Sequence, residues 1–307
     1  MKTLLRILIC LVMQISALEI HNGGMELAGR ILVSALATRY ELASQQADSL
    51  RAQDPDAAIF FQNMVLLSRF DDLRNLEDLK RARTFLENAQ LKEPFWDHLR
   101  HFQIGYAKVE LHQTLSGALS TRKAAEGFRD LGGLEARGMV AIYDYYLAGS
   151  ISWMPFRKDS RVQNLATLDS AARMSKLLWP LFTTSLAWIH FDRKEYTKGL
   201  ALAERSLAKA PGNPIFLQMK GDMLFRLGRI QEAAQIYEKS LAEYSTRGPG
   251  TVRWWSAAGN LLRIYHALGD TAKVTYWQKE FARKDFEKVR PWMPPSLMDA
   301  LEEKDLL

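Results

Sequence analysis

Three side chains in this 307-residue sequence have types and spacing suited to chemistry: Asp97, His98 and His101, within Trp96-Asp97-His98-Leu99-Arg100-His101. On a helix, Asp97 and His101 share a face at i, i+4, and His98 and His101 share one at i, i+3. Such a set could hold a divalent metal if one more ligand joined it. No HExxH, CxxC or second histidine pair accompanies it. A solvated or groove-lining role is the stronger reading. The sequence also has no GxSxG elbow, no GxxxxGK[ST] loop and no GxGxxG after a strand. The carboxylate pairs Asp71-Asp72 and Glu302-Glu303 are adjacent, and adjacent side chains on a helix point apart, so neither is an acid/base dyad. The expectation is a chain that is not an enzyme, with no cofactor and no metal site.

What positions these residues is a repeat. Pro180 to Pro211 and Pro214 to Tyr244 carry one helical pattern 34 residues apart, a period that decides architecture. Small residues coincide: Ala187 with Gly221, Gly199 with Ala233, Ser206 with Ser240. Two helices approach closely only where one presents a small side chain, so these positions are packing requirements. Leu227-Gly228-Arg229 ends one helix, with the glycine suited to a left-handed C-terminal position. Pro211-Gly212-Asn213-Pro214 ends the next and starts another pair. Upstream, helix pairs are expected over 25–51, 57–91, 95–131 and 134–177, and Arg39-Tyr40-Glu41-Leu42-Ala43 mimics Glu195-Tyr196-Thr197-Lys198-Gly199. Strand signals are absent from the sequence: there is no sustained alternation and no Asn-Gly hairpin.

This pattern resembles the tetratricopeptide repeat, a 34-residue helix-turn-helix. Gly221, Gly228, Ala233 and Tyr237 stand where that family places small and aromatic signature residues; Ala187, Tyr196 and Pro211 do so in the first copy, where Gly199 replaces the usual Ala. A third copy, 255–274, keeps Tyr265, Leu268 and Gly269 but has Leu262 and Val274 at positions the family keeps small. It follows an insertion around Ser245 to Val252. The resemblance implies an all-α, right-handed α-solenoid of about seven helix pairs, each burying its apolar stripe against its neighbours. It also implies a concave groove lined by the first helix of each pair. In the first copy the groove positions are Leu181, Thr184, Trp188, Phe191 and Asp192; in the second, Ile215, Gln218, Asp222, Phe225 and Arg226; in the third, Ser256, Gly259, Arg263, His266 and Ala267. Trp188, Phe191, Asp192, Gln218, Asp222, Phe225, Arg226, Arg263 and His266 are the expected partner-binding residues. The family's clamp for a peptide carboxylate, with Lys and Asn at the fifth and ninth positions, is missing here.

The ends and the middle complete the organisation. Met1 to Arg6 is short and basic, Ile7 to Met13 is apolar, and Ile15-Ser16-Ala17 offers a cleavage site. That order reads as a signal peptide over 1–17, too short to span a membrane. Cys10, the only cysteine, follows Ile9 where lipid attachment needs a small residue. A chain cut after Ala17 has no cysteine, which fits a bacterial periplasm better than a eukaryotic secretory route. Loss of Lys2 and Arg6 lowers the formal charge from +6 to +4, and with no polybasic tail, nucleic-acid binding is not expected. Residues 18–148 form degenerate pairs, 149–161 an irregular loop, 162–287 the clearer repeats and 288–307 a capping segment in which Ser296 can cap a short helix. The loop's Trp153-Met154-Pro155-Phe156 reads either as an apolar contact loop or as a loop folded over helix ends. The second is favoured because an exposed cluster of this kind invites aggregation. The function expected is a scaffold in the cell envelope that binds a protein or peptide, with no stable membrane span. The alternative is a small-ligand-binding accessory subunit of an envelope transport system.

Overall fold

The computed structural model describes residues 22–150, 160–246 and 250–307. The signal peptide at 1–17, its cleavage site, and Trp153 to Phe156 lie outside the described residues. Among the described residues there are sixteen α-helices, one 3-10 helix and no strand. The expected pairs are present: α1 (Asn22–Leu36) with α2 (Tyr40–Leu50), α3 (Pro55–Leu73) with α4 (Leu76–Asn88), and α5 (Pro94–Glu110) with α6 (Thr114–Leu131). Then follow α7 (Gly133–Ser150) and α8 (Arg161–Met174), α9 (Trp179–Asp192) and α10 (Tyr196–Lys209), and α11 (Pro214–Arg226) and α12 (Ile230–Ser245). The seventh pair is α13 (Val252–Leu268) with α14 (Thr271–Phe281), followed by α15 (Lys284–Val289), a 3-10 turn at Arg290–Trp292 and α16 (Pro295–Glu302). Consecutive helices pack on one another, as in a tetratricopeptide-like α-solenoid.

One turn joins the two helices in all six pairs whose connection is described. Its last residue before the N-cap is left-handed: Thr38, Arg74, His112, Lys194, Gly228 and Gly269, with φ of 59°, 55°, 62°, 60°, 75° and 71°. In five of the six, the N-cap N–H reaches back to a carbonyl in the last turn of the preceding helix: Arg39 to Ser34, Gln113 to Lys108, Glu195 to His190, Arg229 to Leu224 and Asp270 to Tyr265, at 2.8–3.0 Å. That bond satisfies a carbonyl orphaned by the helix end. The resemblance between Arg39–Ala43 and Glu195–Gly199 therefore marks the same backbone.

The chain divides into two compact units. Among the described residues, the first comprises 22–35, 39–70, 75–150 and 160–186; the second comprises 36–38, 71–74, 187–246 and 250–307. The first is built around Phe60, Phe61, Phe95, Trp96, Phe102 and Phe128, all buried, with neighbouring ring centroids 5.0–6.1 Å apart. Buried Asp56 accepts the backbone N–H groups of Lys92 and Glu93 at 2.7 and 2.9 Å and so fixes the entry to α5. In the second unit, small residues sit at helix crossings. A Cβ on Gly221 would lie 2.6 Å from the Tyr237 ring, and one on Gly199 would lie 2.4 Å from Met223. Ser240 Oγ donates to the Pro214 carbonyl at 2.9 Å.

The C-terminal segment differs from expectation in detail. Ser296 lies inside α16; the N-cap is Pro294, and no side chain caps that end. Pro295 at the first turn lacks an N–H that would need a partner, so the helix starts without the serine. Leu297 and Leu301 of α16 close over Gly259, where a Cβ would meet them at 3.2 and 3.3 Å. Asp299, Glu302, Glu303 and Asp305 are exposed.

A candidate partner-binding face on the second unit

The first helices α9, α11 and α13 place most of the expected groove residues on accessible surface. Trp188, Phe191, Gln218, Asp222, Phe225 and Arg263 are half-buried, and Asp192, Arg226 and His266 are exposed. The residues interlock from one pair to the next. Trp188 meets Phe191 edge-on with centroids 5.6 Å apart, and Phe191 meets Tyr196 at 5.6 Å. The Arg226 guanidinium lies over the Phe191 ring at 5.2 Å, and Arg263 lies over Phe225 at 5.5 Å. Each arginine thus covers a ring supplied by the preceding pair. A guanidinium stacked on a ring keeps its N–H edge for a further partner. Arg263 spends one donor on Asn260 Oδ1 at 3.2 Å, while its buried Nε has no hydrogen-bond partner among the described residues.

Asp222 supplies the acidic group of this row. Its Oδ1 accepts from the Tyr237 hydroxyl at 2.5 Å. Burial lifts its carboxyl to about pKa 6, against the pull of the Tyr237 hydroxyl and of Arg263 and Arg226, which favour the charged form. The Tyr237 hydroxyl is pushed well above its ordinary range by burial and by Asp222. Burial, then the nearby charge of Arg226, lowers the Arg263 guanidinium from its usual value. Gln218 Oε1 accepts from the Tyr244 hydroxyl at 3.4 Å. The surroundings of Asp192 raise its carboxyl through desolvation.

Of the other expected groove positions, Ile215 is half-buried and Ala267 exposed, and four are closed. Leu181 and Thr184 are buried, and Thr184 donates its hydroxyl to the Pro180 carbonyl at 2.6 Å. Ser256 and Gly259 are buried as well, under Met293 and α16. The sequence reading did not assign Tyr237, Tyr244 or Asn260 to this face. Asn260 was findable, since it stands three residues before Arg263 on one helix face. The two tyrosines reach the row from α12, and nothing in the first-helix register points to them.

Asp97, His98 and His101 sit in the first unit on α5. Arg100 takes Asp97 Oδ1 at 2.6 Å through Nη2, and His101 Nε2 lies 3.6 Å from Asp97 Oδ2. Burial lowers both histidines, His101 to about pKa 4, so both imidazoles are neutral at neutral pH. His98 packs edge-on to Phe128 at 5.6 Å. Among the described residues, no three His, Cys, Asp or Glu side chains are grouped to hold a metal ion. No described helix is long and apolar enough to cross a membrane.

The fold, the shared turn and the small-residue crossings define an array of helix-turn-helix repeats. Residues 184–248 match the tetratricopeptide repeat family model. This chain carries tetratricopeptide repeats, and the match spans α9 to α12, which hold most of the face described above. No curated protein matches the sequence. Tetratricopeptide repeats generally mediate protein–protein contacts and are typically non-catalytic.

Proposed function

We propose that this protein is a non-catalytic scaffold of the cell envelope that holds a protein or peptide partner along the α9–α11–α13 face. The observation that carries this reading is the row of rings and guanidiniums from Trp188 to Arg263. Aromatic and arginine side chains supply most of the binding energy at interfaces. Here Arg226 is exposed and held flat by Phe191, and no ion pair engages it among the described residues. The envelope assignment is supported by the order of basic, apolar and small residues over 1–17. The wild-type chain and the double variant Trp188→Ala, Arg226→Ala, used as baits in parallel on a source-cell envelope extract, test the face. Equal helicity by circular dichroism, with a partner retained by the wild type and lost by the variant, is the expected result. Identical recovery by both chains would overturn this use of the face. Sequencing the N-terminus of the native protein tests export: a mature chain beginning at Leu18 is expected, and an intact Met1 would sink that part.

A further inference from the structure

Two related clefts lie among the described residues of the first unit. One, of about 840 Å³, is lined by Arg51 beyond α2, by Ile59, Gln62 and Leu66 of α3, and by α4 from Glu77 to Asn88. The other, of about 390 Å³, is lined by Glu87 of α4, by Arg100, His101, Ile104 and Lys108 of α5, and by α6 from Ser116 to Lys123. They are the same cleft, one repeat apart. Counted from the left-handed turn residues Arg74 and His112, Leu66 and Ile104 each stand eight residues before, and Gln62 and Arg100 each stand twelve before. Arg81 and Leu119 each stand seven after, and Phe85 and Lys123 eleven after. Arg51 and Glu87 each stand thirteen after the turn residue of their own pair, Thr38 and Arg74. Each cleft is therefore formed by one second helix, the next first helix and the next second helix. None of these residues belongs to the α9–α11–α13 face.

The lining is apolar below and basic at the rim. Ile59 and Leu66 are partly accessible on the floor of the first cleft and Ile104 is buried at the base of the second, while Phe85 is 44% exposed and Leu119 58% exposed beside them. Six Lys and Arg side chains line the clefts against two carboxylates. Both carboxylates are already engaged: Glu77 by Lys80 at 2.8 Å and Glu87 by Arg83 at 3.1 Å. Arg51 and Arg100 are held by Asp48 and Asp97. Arg81, Lys108 and Lys123 remain, and none of them makes an ion pair among the described residues. The buried His101 Nε2 in the second cleft also lacks a hydrogen bond among the described residues.

We infer that these two clefts form a docking track for an acidic amphipathic helix of a partner protein, with an apolar side chain entering each cleft and carboxylates meeting Arg81, Lys108 and Lys123. Equivalent helices of neighbouring pairs are at most two interhelix spacings apart, roughly 16–20 Å. An α-helix covers that distance in about 11–13 residues, which sets the upper limit on the separation of its two apolar anchors. Helix-in-groove binding uses apolar anchors on one stripe, and charge on the flanks sets partner choice.

The probe is a fluorescent helical peptide about five turns long, with leucines at that separation and glutamates elsewhere. Its counterpart carries lysines for the glutamates. The full chain is titrated at physiological ionic strength and read by anisotropy. The acidic peptide should bind, the basic one should not, and Arg81→Glu with Lys123→Glu should weaken binding at least about tenfold. Phe85→Ala, which alters no charge, should weaken it as well. The Trp188→Ala, Arg226→Ala variant should bind the peptide unchanged, so this inference and the proposed function fail separately. Equal affinity for both peptides, or indifference to the charge reversal, overturns the track. Displacement of the peptide by millimolar inorganic phosphate would reassign the clefts to small anions. Binding of phosphatidylglycerol vesicles without binding of the peptide would reassign them to a membrane surface.

Discussion

Asp222 is a carboxyl group held where its charge is disfavoured. Burial sets its folded pKa at about 6, against 3.8 for the free side chain. Between those values the folded chain keeps a proton that the unfolded chain has released. Stability contributed by this group is therefore full below about pH 4 and falls as pH rises through about 6. Asp222→Asn keeps an oxygen for the Tyr237 hydroxyl and removes the buried charge. The variant should be more stable than wild type at pH 7.5 by about 1–3 kcal/mol, with the difference shrinking toward pH 4. Urea unfolding of both chains at several pH values measures it, and the comparison cancels other titrations such as that of His190, which burial lowers. A stability difference that does not change with pH would refute the account. The 34-residue register made most of this face legible, because it places Trp188, Asp222, Arg226 and Arg263 on first helices at fixed positions. It could not show that Arg226 would lie on Phe191 or that Tyr237 would reach Asp222. Those contacts join separate helices, and their geometry depends on how closely Gly221 lets Tyr237 approach.

At the scale of the element, the shared turn explains how degenerate repeats keep one architecture. Sequence marks the turn only at Gly228 and Gly269, since a left-handed residue is inexpensive for glycine alone. Thr38, Arg74, His112 and Lys194 adopt the same backbone without that signal. The upstream pairs were legible instead through their apolar spacing and their prolines. The end of the array was not, because α16 is no repeat helix and its burial of Gly259 follows from leucines outside the register. The cost of a side chain in the left-handed region is about 1–2 kcal/mol per residue. Lys194 is exposed, so Lys194→Gly should relieve strain at little loss of contact and raise stability by up to about 1 kcal/mol, after the glycine's greater unfolded-state entropy. Gly228→Ala should lower it by about 1 kcal/mol or more. Paired thermal melts of the two variants would check the signs. If both moved stability in the same direction, the turn would not be controlling it.

At the scale of the molecule, a stack of helix pairs is stabilised by each pair burying its face on the next, and its last pair needs a cover. Here α13 is that last first-helix, and α16 covers it with Leu297, Met298 and Leu301, all buried, while its acidic residues face outward. Trp255, Phe281 and Phe286 form the apolar cluster beside it, with centroids 4.7–5.1 Å apart. Leu301 is fully buried against the Gly259 crossing. Leu301→Ala should cost about 2–5 kcal/mol, as for other buried leucines truncated to alanine. In a nearest-neighbour array that loss need not spread evenly. Amide exchange should quicken first in α13 and α14, while α11 and α12 keep their protection, because their shared interface does not involve α16. Hydrogen exchange resolved by helix measures this directly. Uniform acceleration across the second unit would show that it unfolds as one cooperative block, and α16 would then be a structural member of that block rather than a local cap.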